Sequence, residues 1–253
     1  MGKLSGKIAL ITGASRGIGR AIAVALASEA ATVAIHYNTA LPEAEKTLSL
    51  VENAGGTGFV LRADLGVPDG HRILSTALKA GLEARFGSSR FDILVNNAGV
   101  GKRVTIEQTT EVDFDRVVQV NLKTPFFLIQ SLLPHLADGG RIINISSMGA
   151  RAAYPDMPIY APTKAGLEVL SRILAVHLGP RGITVNAVMP GATATDMNIR
   201  ARDPEASKAI AQTIALGRVG QPEDIARIVA FLASGDGGWV TGQSIDASGG
   251  QRL

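Results

Sequence analysis

The sequence predicts an α/β protein, a doubly wound parallel sheet of about seven strands with helices on both faces. Three observations carry that expectation. Short apolar runs alternate with longer amphipathic segments from one end of the chain to the other. Runs such as Ile142-Ile143-Asn144-Ile145 are almost continuously apolar, as expected of strands covered on both sides. The first run also passes through a glycine-rich turn straight into a helical pattern.

Taken in order, residues 7–11 form an apolar first strand, and Ile18, Ile22, Ala25 and Leu26 then recur at helical spacing. Residues 32–36 are β-rich, and 42–54 read as a helix. Residues 59–62 and 91–95 are two further strands with a helix between them. A helix is expected over 117–136, a strand over 141–145, a helix over 159–178 and a strand over 183–188. A last helix (222–233) and a short strand (243–247) close the pattern. Residues 191–216 carry the least β character and are expected to fold as a helical lid.

Composition removes several function classes. The 253 residues show no low-complexity linker and no repeat, so a single domain over residues 1–253 is expected. Hydrophobic residues at 46% and charged residues at 19% exclude a disordered chain. The absence of cysteine excludes a disulfide scaffold, a thiolate metal site and a cysteine nucleophile. The four histidines lack zinc-site spacing, so no metal is expected. The net charge is only +3, without a run of five like charges, which gives nucleic-acid binding no support. The opening residues lack the apolar region of a secretory signal. Every apolar stretch falls short of the roughly 20 residues that span a bilayer. The expectation is a cytoplasmic protein with no membrane and no nucleic-acid partner.

The turn after the first strand reads Thr12-Gly13-Ala14-Ser15-Arg16-Gly17-Ile18-Gly19. Glycines there let the backbone approach a pyrophosphate, whose charge is stabilised at the N-terminus of the helix that follows. Glycine spacing alone also fits an ordinary left-handed turn; its place after the first strand is what points to a dinucleotide. The second strand ends in His36-Tyr37-Asn38-Thr39 without the carboxylate that would bind a ribose 2′-hydroxyl and repel a 2′-phosphate. Arg16 stands where it can pair with that phosphate. NADP(H) is therefore expected in preference to NAD(H), which remains possible.

Farther along, Tyr160-Ala-Pro-Thr-Lys164 puts a phenol and an ammonium at i and i+4 on one helix face. A nearby cation lowers a tyrosine pKa, so the pair reads as a proton donor and its tuner. Ser147, thirteen residues upstream, follows a strand and can hydrogen-bond a carbonyl or carbinol oxygen, and Asn121 can join a water chain to the lysine. A tyrosine–lysine pair alone is common in helices. Combined with the glycine turn and the serine it is specific.

On these residues the chain resembles the short-chain dehydrogenase/reductase family, and is most similar to its 3-oxoacyl-carrier-protein-reductase-like members. The likeness runs over the whole length: the TGASRGIG turn, Asp64-Leu65, Asn96-Asn97-Ala98-Gly99, Asn121, Ser146-Ser147, Tyr160 with Lys164, Asn186, Pro190-Gly191 leading to Thr195-Asp196-Met197, and Gly242-Gln243. The resemblance implies a Rossmann-type fold and a reductase. It makes Tyr160 the general acid/base, Lys164 its tuner and the holder of the nicotinamide ribose, Ser147 the group that orients the substrate oxygen, and Asn121 part of the proton relay. For the cofactor it implies contacts from Gly13, Ser15, Arg16, Gly17, Ile18 and Gly19 in the turn, and from Tyr37 and Asn38 after it. Asp64 and Leu65 would meet the adenine, Asn97, Ala98 and Gly99 the adenosine ribose, and Pro190, Gly191, Thr193 and Thr195 the carboxamide and pyrophosphate.

The expected partner is a small-molecule carbonyl or alcohol. Carrier-protein reductases usually carry a basic residue before the Ser-bearing strand, whereas here 134–140 offers Asp138; the other basic position, Arg181, is kept. Lys102-Arg103 could attract an anionic substrate or simply be solvated. The competing readings are an NAD-dependent alcohol dehydrogenase of the same fold and a non-catalytic NADP-binding sensor or scaffold, against which the intact Asn121/Ser147/Tyr160/Lys164 set weighs. Residues 117–136 and 159–178 carry more apolar side chains than one sheet-facing stripe needs. The C-terminal segment 235–253, with Trp239, Val240, Ile245 and Leu253, offers a second apolar surface. A homotetramer is expected, with a dimer as the fallback.

Overall fold

The computed structural model describes residues 2–252; Leu253 of the expected second apolar surface lies outside the described residues. The chain runs β1 (Ile8–Ile11), α1 (Gly17–Ser28), β2 (Thr32–Tyr37), α2 (Leu41–Asn53), β3 (Thr57–Arg62), α3 (Gly70–Phe86) and β4 (Phe91–Asn96). Next come α4 (Glu111–Val118), a π-helical turn (Gln119–Lys123), α5 (Thr124–Leu132), β5 (Leu136–Ile145), α6 (Tyr160–Leu178) and β6 (Thr184–Pro190). The chain closes with α7 (Ile199–Arg202), α8 (Pro204–Ala211), α9 (Pro222–Ala233) and β7 (Ser244–Ala247).

All seven strands join one sheet in the order β3-β2-β1-β4-β5-β6-β7, every neighbouring pair parallel. Alternation along the strands divides the core into two layers. Ala9, Ile11, Val33, Ile35 and Val95 pack with Ile22 and Leu26 of α1 and Val229 of α9. Leu10, Ala34, Leu94 and Ile142 pack on the other face with Leu78 of α3, Leu128 of α5 and Leu178 of α6. Full burial of side chains such as Leu78 contributes about 1.5–3 kcal/mol each, and a strand apolar on both faces is what makes the two layers possible.

Strand order reverses between β1 and β4. Chain segments leaving these neighbours diverge to opposite faces and open a crevice at their carboxyl ends. The glycine turn leaves β1 and the Asn97-Ala98-Gly99 turn leaves β4 at that point.

The helix expected over 117–136 is built differently. It begins at Glu111, widens into a π turn and stops at Leu132, while Leu136 already belongs to β5. Pro125 explains the widening: it has no N–H for the carbonyl of Asn121, and its ring crowds that carbonyl. Pro134 then follows the helix end. The segment 191–216 contains two short helices, α7 and α8, as its weak β pattern suggested.

Candidate active site

The glycine turn is held by backbone geometry and by the neighbouring loop. Gly13 and Gly17 adopt φ of 63° and 57°, a left-handed conformation that suits residues without a Cβ. A Cβ on Gly19 would come within 2.3 Å of the Gly13 carbonyl and 2.5 Å of Asn97 Nδ2. Asn97 Nδ2 donates to the carbonyls of Thr12 (2.9 Å) and Gly13 (3.0 Å). The Thr12 hydroxyl accepts from the N–H groups of Asn97 and Ala98 at 3.0 and 2.9 Å. The two loops at the switch point are thus one hydrogen-bonded unit.

The first turn of α1 carries neither a side-chain cap nor an acidic residue. Its amide groups suit a phosphate, so the turn fits a dinucleotide pyrophosphate. Arg16 is largely exposed, and its guanidinium lies 3.9 Å from Asp196 in the expected lid. Arg20, by contrast, is taken up by Glu43 (2.5 Å) and Thr47 (3.0 Å).

Around Tyr160 the geometry is closer still. The Lys164 ammonium lies 5.7 Å from the centre of the Tyr160 ring and donates to the Ile145 carbonyl at 2.8 Å. A Cβ placed on Gly99 would be 3.4 Å from both Lys164 Nζ and Asn121 Oδ1. Ser147 accepts from the N–H of Gly149 at 3.0 Å. Asn121, fully buried, clamps Val100: its Oδ1 accepts from the Val100 N–H and its Nδ2 donates to the Val100 carbonyl, both at 2.9 Å. Asn121 Nδ2 also reaches Thr163 Oγ1 at 3.4 Å, and that hydroxyl donates to the Tyr160 carbonyl at 2.7 Å.

Burial pushes the Tyr160 phenol above its ordinary value, and the Ser147 hydroxyl and the Arg103 charge oppose the rise without cancelling it. Burial also pushes Lys164 itself down to about 8.

Several expected cofactor residues have their side chains committed elsewhere. Tyr37 and Leu65 are 7% and 5% exposed, each within one of the core layers, whereas Asn38 is exposed. Asp64 caps its own loop by accepting from the Gly66 N–H at 2.8 Å. Thr195 lies beside Gly17, where a Cβ would meet its methyl at 3.5 Å. Thr193 is buried and donates to the Gly191 carbonyl at 3.0 Å. Gly191 follows Pro190, and a Cβ there would lie 2.7 Å from that of Ser248. Ser15 offers its carbonyl to Thr47 at 3.1 Å, and Ile18 packs on the α1 layer of the core.

The cations considered for substrate attraction are paired. Lys102 meets Asp113 at 2.7 Å and Arg103 meets Asp156 at 2.6 Å. Arg181 meets Asp138 at 2.8 Å and donates to the Leu133 and Leu136 carbonyls. Residues that sequence reasoning did not single out include Thr163 and Glu168. The buried Glu168 accepts from the Ser146 hydroxyl at 2.6 Å, and its i+8 spacing from Tyr160 on the α6 face was the available signal. Among the described residues no cluster of His, Cys, Asp or Glu could hold a metal ion, and no helix is long and apolar enough to cross a membrane.

The family model described as enoyl-(acyl carrier protein) reductase matches residues 13–252. The chain belongs to the short-chain dehydrogenase/reductase family. It is an oxidoreductase of that family acting on C=O and CH–OH groups. Its fold is the Rossmann-type sheet the family uses. An uncharacterized oxidoreductase of Methylorubrum extorquens is 42% identical over 256 residues, covering 100% of both chains. A hydroxynaphthalene reductase-like protein of Metarhizium brunneum is 40% identical over 261 residues, covering 98% of this chain and 95% of the relative. Among solved structures, the angucycline C-6 ketoreductase LanV with bound NADP superposes with a TM-score of 0.96 at 46% identity, covering 100% of this chain and 98% of LanV. The promiscuous reductase LugOII, which catalyses keto-reduction at C1 during lugdunomycin biosynthesis, gives 0.95 at 45% identity, covering 99% and 100%.

Proposed function

We propose that this short-chain dehydrogenase/reductase is an NADPH-dependent ketoreductase with Tyr160 as its general acid. The observation that carries the reading is the gathering of Ser147, Tyr160, Lys164 and Asn121 beside an uncapped helix N-terminus and the glycine turn. When bound, the cofactor supplies a hydride to the substrate carbonyl carbon.

The chain's own groups do the rest. A phenol held above its ordinary pKa stays protonated at neutral pH and can give its proton to the oxygen that becomes an alkoxide. Ser147 donates to the same oxygen and orients it. Lys164, with a pKa of about 8, is mostly charged at pH 7. One of its N–H groups is spent on the Ile145 carbonyl, which leaves two for the hydroxyls of the nicotinamide ribose. Asn121 holds the loop after β4, and so the wall of the crevice. Arg16 would meet a 2′-phosphate, with no carboxylate at Tyr37-Asn38 to repel it.

For the substrate, the ketoreductase and hydroxynaphthalene reductase-like relatives favour a cyclic or aromatic ketone. Met197, Ile199 and Leu216, exposed by 62%, 74% and 71%, are the apolar lining such a ring system would meet if residues 191–216 close as a lid. The ion pairs of Arg181, Lys102 and Arg103 favour a free molecule over one on an acidic carrier protein. Outward Ile173 and Val176 on α6, with Phe126 on α5 and a fully exposed Trp239, support a tetramer built on two different two-fold axes.

The test is NADPH and NADH consumption against cyclic and aromatic ketones, quinones and β-ketoacyl thioesters, repeated with Tyr160→Phe. The expected outcome is turnover of a ketone with NADPH that Tyr160→Phe abolishes while NADPH binding persists. If the variant keeps more than about a tenth of kcat, a loss below roughly 1.4 kcal/mol of barrier, another group is the acid.

A further inference from the structure

We propose that His36 is a positioning residue for the adenosine half of the cofactor, a neutral imidazole that rivets the glycine turn to the loop after β3. The proposal rests on the NADP(H) reading above and adds a residue to it. His36 is 2% exposed near the end of β2. Its Nδ1 faces the N–H of Gly13 at 3.0 Å, and its Nε2 faces the carbonyl of Ala63 at 3.0 Å. Its backbone carbonyl accepts from the N–H of Ala14 at 2.9 Å, while the next carbonyl, of Tyr37, accepts from Ala63 at 3.1 Å.

One residue therefore holds two consecutive amides of the phosphate-facing turn. On its other side it holds the residue that leads into Asp64-Leu65.

One protonation state satisfies this geometry. The Gly13 amide can only donate, so Nδ1 must offer a lone pair; the Ala63 carbonyl can only accept, so Nε2 must carry the proton. An imidazolium would set an N–H against an N–H at Gly13. Burial holds His36 at about 4, and the Asp64 charge, which favours the imidazolium, does not offset it. On another flank the turn packs closely on the loop after β4, where a Cβ added to Gly13 would lie 2.9 Å from the Ala98 Cα. An apolar side chain at 36 would fill the space but leave the Gly13 amide without this acceptor, a loss the turn can escape only by shifting.

The test combines two variants with a measurement on the unmutated protein. His36→Leu removes both contacts, whereas His36→Asn can still accept from Gly13 through Oδ1. In titration calorimetry His36→Leu is expected to raise the Kd for NADPH about tenfold or more, in line with an unpaired amide. His36→Asn should recover most of that loss, and kcat at saturating NADPH should change far less than Kd in both. In the unmutated protein, nitrogen-15 NMR of the imidazole should show the Nε2–H form at pH 7, before and after NADPH addition.

An Nδ1–H form or an imidazolium at pH 7 would overturn the proposal without recourse to any variant, should His36→Leu fail to fold. So would a His36→Leu protein with unchanged Kd, or an Asn variant no better than the Leu one. Failure of the unmutated protein to bind NADPH would instead sink the cofactor reading, and this proposal with it.

Discussion

Replacing Lys164 by Met should make the protein more stable at pH 7 and less able to bind cofactor, and the gain should fade as pH rises. Lys164 is 3% exposed, and burial takes its pKa from 10.5 in the unfolded chain to about 8 in the folded one. A depression of that size corresponds to about 3 kcal/mol against the charged form. Met matches the length and volume of the stem, so the cavity term is small, but the hydrogen bond to Ile145 is lost, worth about 1 kcal/mol. The net gain at pH 7 is about 2 kcal/mol.

The sign of the pH dependence follows from the same two values. Between pH 8 and 10.5 the unfolded chain binds the proton that the folded protein has released, so wild-type stability rises with pH in that window. By about pH 9.5 the rise amounts to about 2 kcal/mol, which Lys164→Met cannot show, so the two proteins should then unfold at nearly the same denaturant concentration. Urea unfolding of both proteins at pH 7 and 9.5, each with and without NADPH, measures the gap directly. A variant that is less stable at pH 7, or a gap that does not narrow with pH, would refute the claim that the ammonium is held in the fold at a cost. Such a cost is reasonable at a site where function requires a buried charge.

Arg16→Ala should erode the preference for NADPH over NADH in kcat/KM; an unmutated enzyme that prefers NADH would remove the premise. Gly19→Ala should destabilise the protein by about 1–3 kcal/mol and weaken NADPH binding, because the new Cβ meets the Gly13 carbonyl and the Asn97 amide; unchanged thermal unfolding and Kd would count against the turn as described. Hydrogen exchange over residues 191–216 should slow when NADPH and a substrate analogue are added together, and an unaltered pattern would reject closure of that segment. Light scattering should give a fourfold or twofold multiple of 26.3 kDa, and a mass near the monomer value would reject assembly through α6 and Trp239.

Much of this molecule is decided by local information. A strand apolar on both faces can be stable only between two helical layers, so Ile142-Ile143-Asn144-Ile145 and its counterparts carry the sheet in their composition. The glycine turn is legible for a similar reason, since Gly13 and Gly17 take left-handed backbone angles that other residues resist. The Tyr160–Lys164 pair is fixed by helical periodicity alone.

What required the tertiary structure are quantities that depend on neighbours distant in sequence. Burial raises the Tyr160 phenol above its ordinary value, and no spacing rule contains the desolvation energy that does so. Arg181, Lys102 and Arg103 read as free cations until the fold brings each a carboxylate. The sequence marks Tyr37 and Leu65 by their place at strand ends, but only packing decides that their side chains join the core. His36 is the clearest case. As a letter in the sequence it is merely the absence of a carboxylate, and it becomes the joint between two loops because three parallel strands bring Gly13 and Ala63 to its two nitrogens.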